Sequence, residues 1–437
     1  MTDHVLSPLD QAHAHRLDGD EQAALRLAIA CARASREAPG PIALIARVLI
    51  DQDRTLQGAE IAARLVDAFI RRGDLPGALV ASTLALDAGE DQAPLIARIA
   101  KAFGKGSPRI GDSGQRPPPF PKVDVQADLN KLAGDALFAE ADEVVQAYLK
   151  QDDPVPADSA LPALPLFAAL SPKELERLLA AIRVEEISGG QAVVRQDDQG
   201  QEAFVVARGV LKVVRSTGGD ETLLAQLGPG AMFGEMALLS AAPRSASVIA
   251  LEPTQLLVLG RAELERAAEG APELSKELSL FCRGRMQANL MRHARVLASL
   301  PMSQRAELLG KLEMRFFEPN EPLIVREQEA ESIFLIASGA VAVSVPEAQD
   351  RLVLATLGAG DVVGEISLIL RREATADVMA MYPTVAYELT RANLRTLMRT
   401  YPGLLVELYE LATRREDEIR AVSEEESLAA ADADILV

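Results

Sequence analysis

Apolar residues recur every three or four positions through the first hundred residues. Ala23, Ala24, Leu27 and Ala28 fall on one face, and Ile61, Leu65, Ala68 and Phe69 on another, the period of an amphipathic helix. Two stretches punctuate the pattern alike. In residues 17–25 and again in 71–79, a Gly-Asp pair (Gly19-Asp20, Gly73-Asp74) is followed by Ala-Leu (Ala24-Leu25, Ala78-Leu79). Such a glycine ends one helix, and the aspartate offers a side-chain cap to the next. The pattern predicts an α-helical, repeat-like domain over residues 1–102.

Residues 103–122 break the periodicity. Gly104-Lys105-Gly106-Ser107-Pro108 and Arg116-Pro117-Pro118-Pro119-Phe120-Pro121 cannot continue a helix or sit inside a sheet, so they read as a Pro/Gly linker. Residues 123–160 hold a short helical segment, with Leu129, Leu132, Leu137, Val144, Val145 and Tyr148 as its apolar positions, and then a second linker, Asp152-Asp153-Pro154-Val155-Pro156-Ala157-Asp158.

From about residue 160 the chain repeats itself at a shift of 130. Phe204 meets Phe334, Gly209 meets Gly339, Gly230 meets Gly360, Gly234-Glu235 meets Gly364-Glu365, and Pro272 meets Pro402. A constant offset over so many landmarks means two duplicated domains, 161–295 and 296–420, with an acidic tail over 421–437. Ser171-Pro172-Lys173-Glu174 carries the start signal of a helix, with Leu175, Leu178, Leu179 and Ile182 as its apolar face. Short strands follow. Residues 203–207, Gly209 and 210–214 read as strand, turn and strand, as do 333–337, Gly339 and 340–344, and the spacing predicts antiparallel hairpins. Many short strands with glycine turns predict a sandwich or jelly roll. The fold class is therefore α+β and multidomain: helical hairpins, then two tandem β-rolls with flanking helices.

The chemistry concentrates in Phe233-Gly234-Glu235-Met236-Ala237-Leu238-Leu239 and Pro243-Arg244-Ser245-Ala246-Ser247-Val248. Backbone amides at a helix start attract an anion, and an arginine fork pairs with phosphate oxygens. A carboxylate so close to phosphate is better placed to accept from a sugar hydroxyl. Phosphate, ribose and a tight glycine turn together suggest a ribonucleotide monophosphate. The stretch resembles the phosphate-binding cassette of the cyclic nucleotide-binding domain family, which includes the catabolite activator protein, the regulatory subunits of cAMP-dependent kinase and cyclic-nucleotide-gated channels. The resemblance covers about residues 163–420. It implies an eight-stranded roll with a C-terminal helix over the pocket, and cAMP or cGMP as ligand. It also implies a site made of Gly234, Glu235, Met236, Ala237, Arg244, Ser245 and Ala246. Glu235 would take the ribose 2′-hydroxyl and Arg244 the cyclic phosphate. Base contacts in the family often come from the closing helix, where Leu280, Phe281, Arg283, Arg285 and Met286 stand; none decides between the bases, and cAMP is placed first on family frequency alone. The Gly-Asp hairpins of the N-terminal region resemble tetratricopeptide repeats, although their separation of 54 residues departs from the usual ~34-residue period.

The second cassette differs. Ala374 stands in the arginine column and Asp377 in the column of Ser247. Losing the fork disfavours phosphate, and an added like charge is worth up to ~4 kcal/mol at ~4 Å. The second domain is expected to keep the fold and lose the ordinary ligand, with Arg371 and Arg372 on a solvated loop face.

Bulk properties narrow the function. A net charge of −19 opposes nucleic acid as a partner. The residues after 420 are too acidic for a DNA reader. No run is long and apolar enough to span a membrane, and the N-terminus lacks a leader pattern, so a cytoplasmic location is expected. The four histidines and two cysteines show no metal-ligand spacing, and no nucleophile–base set is visible. Cys31 and Cys282 read as buried small hydrophobes. The expectation is a non-enzymatic cyclic-nucleotide sensor, without metal, that passes its signal to a protein partner through the N-terminal helices. The alternatives are a scaffold with vestigial pockets, or a protein like a kinase regulatory subunit or a transcription regulator.

Overall fold

The computed structural model describes residues 5–54, 58–108, 110–111, 122–151, 161–162, 165–217, 220–238, 243–269, 271–347 and 350–434. The Pro-rich stretch 116–121 and the linker 152–158 lie outside the described residues, as does 239–242 of the first cassette. The chain divides into two compact units. One comprises residues 1–196, 202–235 and 246–281; the other comprises 197–201, 236–245 and 282–437.

The first unit opens with six helices: Pro8–Leu17, Glu21–Ala34, Pro39–Asp51, Gly58–Arg71, Leu75–Asp87 and Ala93–Phe103. Both Gly-Asp turns behave as the sequence predicts. Asp20 accepts from the Ala23 amide at 3.0 Å and Asp74 from the Gly77 amide at 2.8 Å. The preceding helices close with the Asp20 amide donating to His15 O at 2.8 Å and the Asp74 amide to Phe69 O at 3.0 Å. The helix Asp135–Leu149 packs on this bundle rather than standing apart from it. Arg26 donates to Leu132 O at 2.8 Å, Arg33 to Glu140 at 2.6 Å and Arg54 to Asp135 at 2.7 Å. The apolar face of Leu137, Ala141 and Val145 is fully buried.

The strands of the first roll belong to the same unit. Ser171 caps the helix Pro172–Ala180 in a reciprocal box with Glu174, as its sequence signature predicts. One sheet runs in the order Arg183–Ile187, Thr254–Gly260, Glu202–Arg208, Met232–Phe233. The other runs Ala192–Val194, Ser247–Ala250, Leu211–Thr217, Asp220–Leu227. Phe204, Val206, Leu211, Phe233, Val248 and Leu256 fill the space between them.

These pairings correct one expectation. The strands on either side of Gly209 are not hairpin partners. Glu202–Arg208 pairs with Thr254–Gly260, whereas Leu211–Thr217 pairs with Asp220–Leu227. Gly209 is a corner where the chain leaves one sheet for the other. Its φ is +93°, and a Cβ there would lie 2.4 Å from Thr254 Oγ1, so only glycine fits. The same correction holds at Gly339, also at φ +93° and 2.4 Å from Thr384 Oγ1.

Where the first helix meets the first roll, charges cross. Arg208 of the roll pairs with Asp10 of the helix, and Arg16 of the helix pairs with Glu186 of the roll. Asp10 also completes a capping box with Ser7. A cavity of about 100 Å³ lies here, lined by His13, Arg16, Asp74, Glu186 and Arg208 among others. Burial, then Arg208 and Arg16, hold the His13 imidazole well below its ordinary pKa, so it is neutral.

The second roll repeats the first. Its sheets run Glu313–Phe317, Thr384–Thr390, Ser332–Ser338, Val362–Val363 and Pro322–Ile324, Asp377–Ala380, Ala340–Glu347, Asp350–Gly358. Strand registers match at the 130 shift: Val258 faces Phe204 and Glu388 faces Phe334; Lys212 faces Gln226 and Ala342 faces Thr356. A closing helix, Pro402–Asp434, continues through most of the stretch expected as a tail. Cys31 and Cys282 are buried free thiols, as expected. Burial, with Asp10, pushes the Cys31 thiol up to about 12, so that thiolate chemistry is closed to it.

Candidate functional site

The first cassette starts from the edge strand Met232–Phe233, held to Phe204 and Val205. Gly234 then turns at φ +73° into a short 3-10 turn, Glu235–Leu238. Glu235 is only 3% exposed. A buried carboxylate needs a donor or a countercharge. Ala237 is buried, and the Met236 side chain packs against the core of the second unit.

Arg244 is 8% exposed. Its backbone is clamped to residues 197–201: the Arg244 amide donates to Asp198 O and the Asp197 amide donates to Arg244 O, both at 2.9 Å. The guanidinium lies over Gly200, where a Cβ would sit 2.3–2.4 Å from Nε, Cζ and a terminal nitrogen. Sequence reasoning missed Gly200. Its signal is the repeat itself, because the matching residue beside Ala374 is Ala330. Glycine accompanies the arginine and alanine accompanies its loss. Ser245 is exposed and Ala246 buried. In the closing-helix set, Leu280 and Arg283 are exposed, Phe281 and Arg285 half-buried, and Met286 sits in the second unit's core.

The second cassette keeps the frame and changes the contents. Gly364 turns at φ +89° into the helix Glu365–Leu370. Glu365 is 2% exposed. Burial pushes its carboxyl up, against the pull of Arg415. Arg415, on the closing helix, donates to Glu365 at 2.8 Å and also to Val362 O. Arg371 and Arg372 are exposed on the loop, as expected, and Arg372 also pairs with Glu416 of the same helix. Asp377 does not point its charge at the cavity either. It accepts from the Arg326 amide at 2.7 Å and pairs with Arg351. Burial pushes this carboxyl up, but those two partners outweigh it and hold it below the usual range. The matching contact in the first domain is the Gln196 amide donating to Ser247 Oγ at 2.9 Å. Asp377 therefore does a local structural job, and the repulsion expected from it is neutralised. A cavity of about 180 Å³ remains, walled by Ile324, Val343, Leu357, Val363 and Val378, with Glu365 and Arg415 at its polar end. That is below the ~300 Å³ of ordinary ligand pockets.

Among the described residues no cluster of His, Cys, Asp and Glu could hold a metal, and no helix is long and apolar enough to cross a membrane.

Two rolls of matching topology follow one another, each carrying a glycine-carboxylate cassette. The family model described as "Cyclic nucleotide-binding domain" matches residues 184–270 and again 314–401, so the chain carries two such domains. It is similar to the cAMP-dependent protein kinase regulatory subunit of Yarrowia lipolytica, 27% identical over 213 residues, 48% of this chain and 53% of that protein. It is also similar to the cyclic AMP receptor protein of Thermus thermophilus, 36% identical over 124 residues, 28% of this chain and 57% of that protein. A third relative is cGMP-dependent protein kinase 2 of Mus musculus, 26% identical over 256 residues, 57% of this chain and 32% of that protein. The chain spans about half the length of the first two relatives and about a third of the last.

Proposed function

We propose that this is a non-enzymatic cyclic-nucleotide sensor whose ligand, cAMP before cGMP, binds in the first domain. Gly234, Glu235, Ala237, Arg244, Ser245 and Ala246 form the site, with Met236 contributing its backbone. Glu235 accepts the ribose hydroxyl, and Arg244 neutralises the cyclic phosphate. The N-terminal helices pass the signal to a protein partner, in the cytoplasm. Ligand shifts the protein between arrangements only as far as it binds one better than the other.

The observation that supports this reading is the buried Arg244 guanidinium, present in one copy and replaced by Ala374 in the other. A bidentate arginine–phosphate contact is charge-assisted. Its loss costs roughly 10²–10³ in affinity at ~1.4 kcal/mol per decade. Calorimetric titration of cAMP and cGMP into wild type and Arg244→Ala tests the site. Undiminished binding by the variant overturns the assignment, and no binding by wild type favours a scaffold.

A further inference from the structure

In the second domain the carboxylate that would receive a ribose already has a partner from its own chain. Glu365 and Arg415 form a 2.8 Å ion pair, and Arg415 also reaches the carbonyl of Val362 on the neighbouring strand. One residue further along the same helix the polarity reverses, and Glu416 takes Arg372 from the cassette. The closing helix and the cassette thus exchange charges in both directions at adjacent positions. Beneath this contact Leu404, Leu408 and Ala412 are buried, the two leucines in the cluster that holds Val362 and Leu368. Asp377 of the same cassette is already paired, Arg371 and Glu373 are exposed, and Ala374 offers nothing to a phosphate.

We infer that Arg415 is an internal substitute for a ligand, latching the closing helix onto the second cassette without any nucleotide. A buried carboxylate left alone is costly, and one partner of a buried pair cannot be removed cheaply. That demand needs no arriving molecule. Here the helix meets it, so the helix is held down at all times and the second domain is a fixed module. The inference does not depend on what the first domain binds.

Hydrogen exchange on the full chain, without nucleotide, tests it. Amides of 404–416 and 365–370 will be protected in wild type. Arg415→Ala will raise their exchange roughly a hundredfold by leaving Glu365 unpartnered. The double change Glu365→Gln with Arg415→Met removes both charges together and will restore most of the protection, which also covers the case in which Arg415→Ala fails to fold. Free exchange of 404–416 in wild type overturns the latch. So does an Arg415→Ala variant as protected as wild type, or a neutral pair that exchanges as freely as an unfolded helix.

Discussion

Replacing Asp74 by asparagine will flatten the alkaline side of the stability profile. Burial pushes the Asp74 carboxyl from 3.8 up to about 6, against the pull of the Gly77 amide it accepts from. The folded state therefore holds the proton more tightly than the unfolded one. The stability linked to that proton is fully present below about pH 3.8 and is lost as the pH rises through about 6. At ~1.4 kcal/mol per pH unit the loss approaches ~3 kcal/mol by neutral pH. Asparagine keeps an oxygen for the Gly77 amide and remains a good cap, but carries no charge to desolvate. Chemical denaturation of wild type and Asp74→Asn, compared at pH 5 and pH 7.5, isolates the effect. The variant's advantage will grow by about 1–3 kcal/mol between the two. An advantage that does not change with pH refutes a raised Asp74 carboxyl.

Asp10→Ala takes the ion-pair partner from the half-buried Arg208 and will destabilise the first unit by about 1–3 kcal/mol, read as a lower urea midpoint; an unchanged midpoint contradicts the pairing. Gly209→Ala places a methyl against Thr254 Oγ1 at positive φ, and will cost about 2–4 kcal/mol in thermal unfolding, with Gly339→Ala costing about the same. Ala374→Arg alone will leave the calorimetric stoichiometry of cyclic nucleotide at its wild-type value, because Arg415 still occupies Glu365; an added equivalent would mean that the missing guanidinium was the whole difference.

Much of this architecture is legible in the sequence where one residue dictates local geometry. Ser171, Asp20 and Asp74 cap helices because a short oxygen acceptor beside a helix start has little else to do. The shift of 130 was readable because glycines at strained corners are hard to replace in both copies. What the sequence left open was long-range choice. The glycine at 209 announces a sharp turn, but whether the flanking strands pair with each other or with distant ones is fixed by the sheets. The roles of charged residues were hidden for the same reason. Asp377 reads as a repulsive charge and is a satisfied backbone cap; Arg372 is solvated as it reads, but its pairing with Glu416 was not visible; Arg415 carried no signal until the helix placed it over Glu365. In the first cassette the residue types announced the chemistry, while Gly200, which makes room for Arg244, has meaning only in three dimensions.

The crossed pairs of Arg208 with Asp10 and Arg16 with Glu186 bear on how this protein is cut for study. The family match begins at residue 184, and a fragment excised there would lose both Asp10 and Arg16. Its sheet would then show Arg208 and Glu186 to solvent without their ion-pair partners. Poor behaviour of such a fragment would report a severed seam, and workable excisions must retain the leading helix.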